Sequence, residues 1–188
     1  MTDAPLILTL ALDTATQADL DRLREEHFPP ARNYLAAHLT LFHHHPAEKS
    51  DTIAADLADL CAMRGPLGLT ASGVIFFGRG VAYGFESPDL VAVRAELARR
   101  WWPWLTAQDR QKFRAHVTVQ NKVAPEQARA LHAALSADFA PFAATGEALR
   151  LWRYLGGPWE PVSAYPFGRE THKGETSIST PKPRNLYR

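Results

Sequence analysis

The chain has 188 residues, 46% of them hydrophobic, with 21 Lys and Arg against 20 Asp and Glu. Such a length can bury a sizeable core, and a net charge of +1 excludes a surface that coats nucleic acid non-specifically, because that mode needs many cations facing phosphates. A nucleic-acid substrate would have to be small or gripped at an end. The single cysteine, Cys61, excludes an internal disulfide and reads as a core residue in a reducing compartment.

The N-terminal apolar run fits a buried strand over 6–12. It lacks the basic flank of a secretory leader and is too short to span a membrane, so a cytoplasmic protein without membrane association is expected. A helix follows over 16–27, with Thr16 as its cap and Leu20 and Leu23 on one face, stopped by Pro29 and Pro30. After a strand near residue 40, Ile53, Leu57 and Leu60 recur at helical spacing within a helix over 48–63. Gly65 and Pro66 end it, and a strand over 67–77 follows. A turn at 78–80 leads into a strand over 81–85. Ser87 then caps a helix with Pro88 at its first position and Leu90, Val93, Leu97 and Trp101 as its buried stripe. Trp101, Trp102 and Trp104 read as core and interface residues at its end. A strand over 115–120, a helix opening at Pro125 with Ala128, Leu131 and Leu135 inward, and a strand over 148–155 complete the order. Strand, helix, strand, helix, strand thus occurs twice.

The middle strand of each half carries one pattern, His-x-Thr-x: His38, Leu39, Thr40, Leu41 and His116, Val117, Thr118, Val119. Side chains alternate along a strand, so each string offers an imidazole and a hydroxyl to one face and two aliphatics to a core on the other. Two such sets face to face supply an acid, a base and a cradle for an anionic oxygen. Parity extends the active faces to Phe42 on the first strand and to Arg114 and Gln120 on the second, as candidates for base stacking and phosphate binding. On the late strand, Leu149, Leu151 and Leu155 should face helices, leaving Arg150, Trp152 and Tyr154 toward the groove. Trp152 and Tyr154 are the candidates for a base or sugar platform.

His43, His44 and His45 raise the question of zinc. His43 and His45 share a strand face, but no Cys, Asp or Glu at ligand spacing completes a site, and His43 has the parity of Leu39 rather than His38. No metal and no cofactor is expected.

On its two His-x-Thr-x motifs, the duplicated order, and the stretch LWRYLGGPWE at 151–160, the chain resembles the two-histidine phosphoesterase superfamily, which includes 2'-5' RNA ligase-like proteins and cyclic phosphodiesterases. The resemblance covers most of the chain. It implies an α+β, bilobal duplicated fold, with two antiparallel sheets forming a central groove and helices outside. Residues 1–168 would form this single domain, lobe one about 1–78 and lobe two about 79–168, with strands free to exchange between them, followed by a polar, basic tail over 169–188. It also implies that His38 and His116 serve as acid and base and Thr40 and Thr118 as phosphate ligands, without metal. The expected activity is hydrolysis of 2',3'-cyclic phosphate RNA ends or small cyclic nucleotides. The same site run in reverse would join RNA ends through a 2'-5' linkage, and a non-catalytic binder of RNA ends or nucleotides would use the same groove. A monomer with no protein partner is expected.

Overall fold

The first strand, β1 (Leu6–Leu12), is buried at every position, because it has a paired strand along each edge. In the computed structural model, which describes residues 4–168, it is followed by α1 (Thr14–His27), β2 (Leu39–His45), α2 (Ser50–Ala62), β3 (Leu67–Phe76), β4 (Gly80–Glu86), α3 (Pro88–Trp101), β5 (His116–Asn121), α4 (Pro125–Ala137), β6 (Phe142–Tyr154) and β7 (Trp159–Pro166). The expected basic tail lies outside the described residues. Among those described, no helix is long and apolar enough to cross a membrane.

The strands form one antiparallel sheet in the order β1-β2-β5-β4-β3-β6-β7, and a further β1–β6 ladder closes the first six into a ring. This corrects the expectation of two separate sheets. The long β6 pairs through its first residues with β3 and through its later ones with β1, so ladders from the second half of the chain run into the first. Closure leaves few free strand edges, and β7 takes the outer position on β6. Helices cover the ring: α1 against β5, α2 against β7, α3 against β3, and α4 against β3 and β4.

Local chemistry accounts for the helices. Ser87 Oγ accepts from the Leu90 N–H at 3.1 Å and Pro88 opens α3, whose Leu90, Val93, Leu97 and Trp101 are all buried as their spacing predicts. Trp102, by contrast, is 53% exposed. The cap of α1 is Asp13 rather than Thr16: one carboxylate oxygen accepts from the Thr16 N–H at 2.9 Å and the other from the Thr145 N–H on β6 at 2.8 Å. One side chain thereby starts the helix and ties it to the sheet. Cys61 is buried as expected, and burial pushes its thiol up to about 11.

The strands bearing the two motifs are neighbours. β2 and β5 run antiparallel and pair at Leu39 and Val117, both fully buried. Just beyond each motif threonine the ladder slips. Leu8 and Thr9 of β1 face Phe42 and Thr40, leaving Leu41 as the extra residue. Val81 and Ala82 of β4 face Gln120 and Thr118, leaving Val119 as the extra residue. These are β-bulges, and a bulge reverses the parity of everything after it.

A bulge also removes backbone groups from the ladder, and buried carbonyls need donors. Two buried arginines provide them from the opposite half of the chain. Arg24 of α1 donates to the Thr118 carbonyl at 2.9 Å as well as to Leu35 O and Asn33 Oδ1. Arg94 of α3 donates to the Leu41 carbonyl at 2.7 Å and to the Asp109 carbonyl, its guanidinium 3.6 Å from the centre of the Phe42 ring. Replacing Arg94 with Met should cost about 2 to 5 kcal/mol, since two buried carbonyls each lose a charged donor. Urea unfolding measures this, and a loss below about 1 kcal/mol would contradict the bracing role.

His45 is fully buried between Phe42 and Trp101, ring centroids 4.9 and 4.7 Å away, and neither ring nitrogen has a partner. Burial pushes its pKa down to about 4. The unfolded chain therefore binds a proton there between about pH 6.5 and 4 that the native state refuses, so stability falls as pH falls through that window. His45→Leu should flatten the loss of stability between about pH 7.5 and 5 in denaturant titrations. An unchanged slope would exclude His45 as a source of acid sensitivity.

Candidate functional site

With Leu39 opposite Val117, antiparallel register sets His38 opposite Thr118 and Thr40 opposite His116. The four side chains line one cavity of about 150 Å³, together with Ile7, His43 and Trp159. A water takes roughly 30 Å³ in the liquid, so this space matches about five heavy atoms, the size of a phosphoryl group.

Each histidine is held in the same way. His38 Nδ1 lies 2.8 Å from the Ala36 carbonyl and His116 Nδ1 2.8 Å from the Arg114 carbonyl. A carbonyl only accepts, so Nδ1 is the protonated nitrogen in the neutral ring, and Nε2 is left to exchange a proton. An aromatic ring stands over each: Trp159 against His38 at 4.7 Å, tilted, and Phe77 edge-on against His116 at 5.4 Å. The approach to His38 is fixed by α1, where Asp21 accepts from the Ala37 N–H and Gln17 donates to the Ala37 carbonyl.

Burial pushes His38 down to about 4. The neighbouring Arg24, His116 and His43 add like-charge repulsion, while the Ala36 carbonyl works the other way. His38 is therefore neutral at pH 7.

The bulges redistribute the other expected residues. Phe42 is fully buried beneath Arg94 and cannot stack on a base, and Gln120 is 6% exposed and turned inward. Unbroken alternation assigns both to the active face, and the extra residues Leu41 and Val119 interrupt that alternation. The same slip brings His43 out into the cavity of the motif residues, and a second one, between Phe42 opposite Leu8 and His45 opposite Leu6, sends His45 into the core, so the two do not share a site. Among the described residues no three His, Cys, Asp or Glu side chains form a group that could hold a metal ion. Arg114 precedes β5, exposed at the rim of a neighbouring hollow.

Trp152 and Arg150 wall a hollow of about 240 Å³ that shares His38 and Trp159 with the central cavity and is otherwise lined by residues 9–11 of β1, residues 35–37 before β2, and Gln17 and Asp21 of α1. The Trp152 indole N–H donates to Thr9 Oγ1 at 2.8 Å, which fixes the ring. Tyr154 sits at the far end of β6 opposite Trp159, 40% exposed, and lines none of the described hollows.

Sequence reasoning missed Trp159, Phe77 and the pairing of His43 with Asp109. Asp109, its side chain 1% exposed, accepts from the backbone N–H groups of His43 and His44 at 2.9 and 3.1 Å and lies 3.1 Å from His43 Nδ1. Burial alone would raise its carboxyl; the hydrogen bonds and charge of His43, with the His44 N–H, outweigh that and hold it below the usual range. Nothing in the spacing of residues 43 and 109 signals the pair.

Residues 12–158 match the family model of the 2'-5' RNA ligase superfamily. No curated protein sequence matches the chain. The fold is similar to that of TT0787 from Thermus thermophilus, with a TM-score of 0.64, 16% identity, and 88% of this chain and 99% of that one covered. A solved phosphoesterase gives 0.60 at 17% identity, covering 89% and 100%. LigT of E. coli, in complex with 3'-AMP, gives 0.56 at 17% identity, covering 88% and 99%.

Removing the Trp159 ring exposes His38. Trp159→Ala should raise the His38 pKa from about 4 toward the ordinary 6.5. NMR titration of the imidazole reads this directly, and a pKa left near 4 would mean that the indole does not desolvate the site.

Proposed function

Since the chain belongs to the 2'-5' RNA ligase superfamily, a family of phosphoesterase and ligase enzymes, we propose that it is a metal-independent phosphodiesterase that opens 2',3'-cyclic phosphates on RNA ends or small nucleotides. The observation that carries this reading is the register of β2 against β5, which sets two His-x-Thr pairs across one phosphate-sized cavity.

In-line opening of a cyclic phosphate needs a base for the attacking water on one side of phosphorus and an acid for the departing ribose oxygen on the other. His38 and His116 flank the cavity along a pseudo-twofold arrangement that suits this demand. His38, neutral at pH 7, takes the water proton through Nε2 as oxygen bonds to phosphorus. His116, as imidazolium, gives its Nε2 proton to the ribose oxygen as the phosphorus–oxygen bond breaks. The product is a nucleotide monophosphate, and the two histidines end with exchanged protons that solvent restores. Thr40 and Thr118 hydroxyls donate to the non-bridging oxygens, each such bond to a charged group being worth about 1.5 to 3 kcal/mol. The neighbouring hollow with Trp152 and Trp159 has room for a base. The nucleotide in the LigT complex, 3'-AMP, is of the size and class this groove would take.

A bound phosphate anion favours the imidazolium and so raises the His38 pKa toward a value suited to proton transfer. The acid limb of kcat/KM, which reports the free protein, should therefore lie near 4, and that of kcat at higher pH.

Hydrolysis of 2',3'-cyclic AMP and of an oligonucleotide ending in a cyclic phosphate tests the reading. His38→Ala and His116→Ala should each lower kcat by about 10² or more, and Thr40→Ala by less. EDTA should leave the rate unchanged. Adding an oligonucleotide with a free 5'-hydroxyl end asks whether ligation competes with water. A folded wild type that turns over neither substrate would overturn the hydrolytic reading, and loss of activity in EDTA would overturn the metal-independent mechanism.

A further inference from the structure

The central cavity adjoins two hollows of different chemistry. The one shared through His38 and Trp159 is mainly apolar, with a cation, Arg150, and a carboxylate, Asp21, both in its lining. The other, of about 290 Å³, shares Thr40, His43 and His116 with the cavity and is walled by Gln108, Gln111, Lys112 and Arg114.

Most charge around this second hollow is already committed. Arg94 is spent on the Leu41 and Asp109 carbonyls, and the Asp109 carboxylate on His43, His44 and Thr106. Lys112 and Arg114 remain. Both are exposed, and among the described residues neither side chain makes a hydrogen bond or an ion pair. Glu86 shares with them the hollow on their far side and pairs with neither. His43 lines the same hollow, its ring fixed by Asp109 at Nδ1 and its Nε2 without a protein partner. The Arg114 carbonyl holds His116 Nδ1, so its backbone is fixed relative to the reacting centre. In a chain with a net charge of only +1, two unpaired cations and an imidazole beside the phosphate cavity are a local concentration rather than a sample of a basic surface.

We propose that this hollow binds a second phosphate of the substrate, so that the preferred substrate carries a phosphate beyond the cyclic one and is not a bare cyclic nucleotide. The inference rests on the reading of the central cavity as the seat of the reacting phosphate. The guanidinium fork of Arg114 matches phosphate oxygens two at a time, and Lys112 supplies a point charge beside it. On the smallest such substrate the second group is the 5'-phosphate of the nucleotide whose 2',3'-cyclic phosphate is opened, and on RNA it is the next phosphate along the strand.

The test compares kcat/KM for a nucleoside 2',3'-cyclic phosphate with and without a 5'-phosphate, in wild type and in K112Q/R114Q. Wild type should favour the 5'-phosphorylated substrate tenfold or more, and the ratio should fall to near one in the double variant. A ratio taken within each protein is insensitive to the fraction that is folded. Equal rates in wild type, or a ratio unchanged by the variant, would overturn the second site. If wild type turns over neither compound, the hydrolytic reading fails, and calorimetric titration with a nucleoside 3',5'-bisphosphate and a 3'-monophosphate decides the second site separately. Tenfold tighter binding of the bisphosphate, lost in K112Q/R114Q, supports it, and equal affinities overturn it.

Discussion

The site depends on one pairing constraint: β2 and β5 meet at Leu39 and Val117, and the chain bulges away beyond each motif threonine. Regular pairing would keep both strands flat and send every second side chain to the groove. The bulges instead interrupt the polar face after each His-x-Thr pair and turn Phe42 and Gln120 into the core. Such a distortion strands backbone carbonyls where water cannot reach them. Arg24 and Arg94, each anchored on a helix of the other half, supply the missing donors. The two halves are thus locked together at the points where their active strands depart from regularity, and the groove geometry inherits the rigidity of buried, charge-assisted hydrogen bonds.

Much of this was legible in the sequence, because it follows from short-range rules. Alternation around His38 and His116 set imidazole and hydroxyl apart from the aliphatics, and the Ser87 and Pro88 start of α3 carries its own chemistry. What was not legible depends on contacts far away in the chain. A bulge adds one residue without any change in composition, so Phe42 and Gln120 read as groove residues and His43 as a core neighbour when the reverse holds. Gly80 is a partial signal. Where it pairs with Asn121, a Cβ would stand 2.3 Å from the Gln120 carbonyl, so the backbone beside the second bulge approaches too closely for any side chain. Strand β7 was hidden for a different reason: Pro161 and Pro166 interrupt its pattern, and proline is tolerated in a strand when it lies at an edge, which only the assembled sheet reveals.

That hidden strand has chemical weight. Register makes His38 and His116 near equivalents, each opposite a threonine and each tied through Nδ1 to a carbonyl two residues back. A symmetric pair would have no ground for dividing an acid's work from a base's. β7 breaks the equivalence by bringing Trp159 across His38, while Phe77 meets His116 edge-on from the β3–β4 hairpin. Desolvation then adds to the charges of Arg24, His116 and His43 in favouring the neutral ring at His38. An imidazole made neutral by its surroundings is suited to accept a proton, the role proposed for it in opening a cyclic phosphate. The repeated half-structure supplies two matched His-x-Thr pairs, and the one unrepeated strand gives their histidines different surroundings.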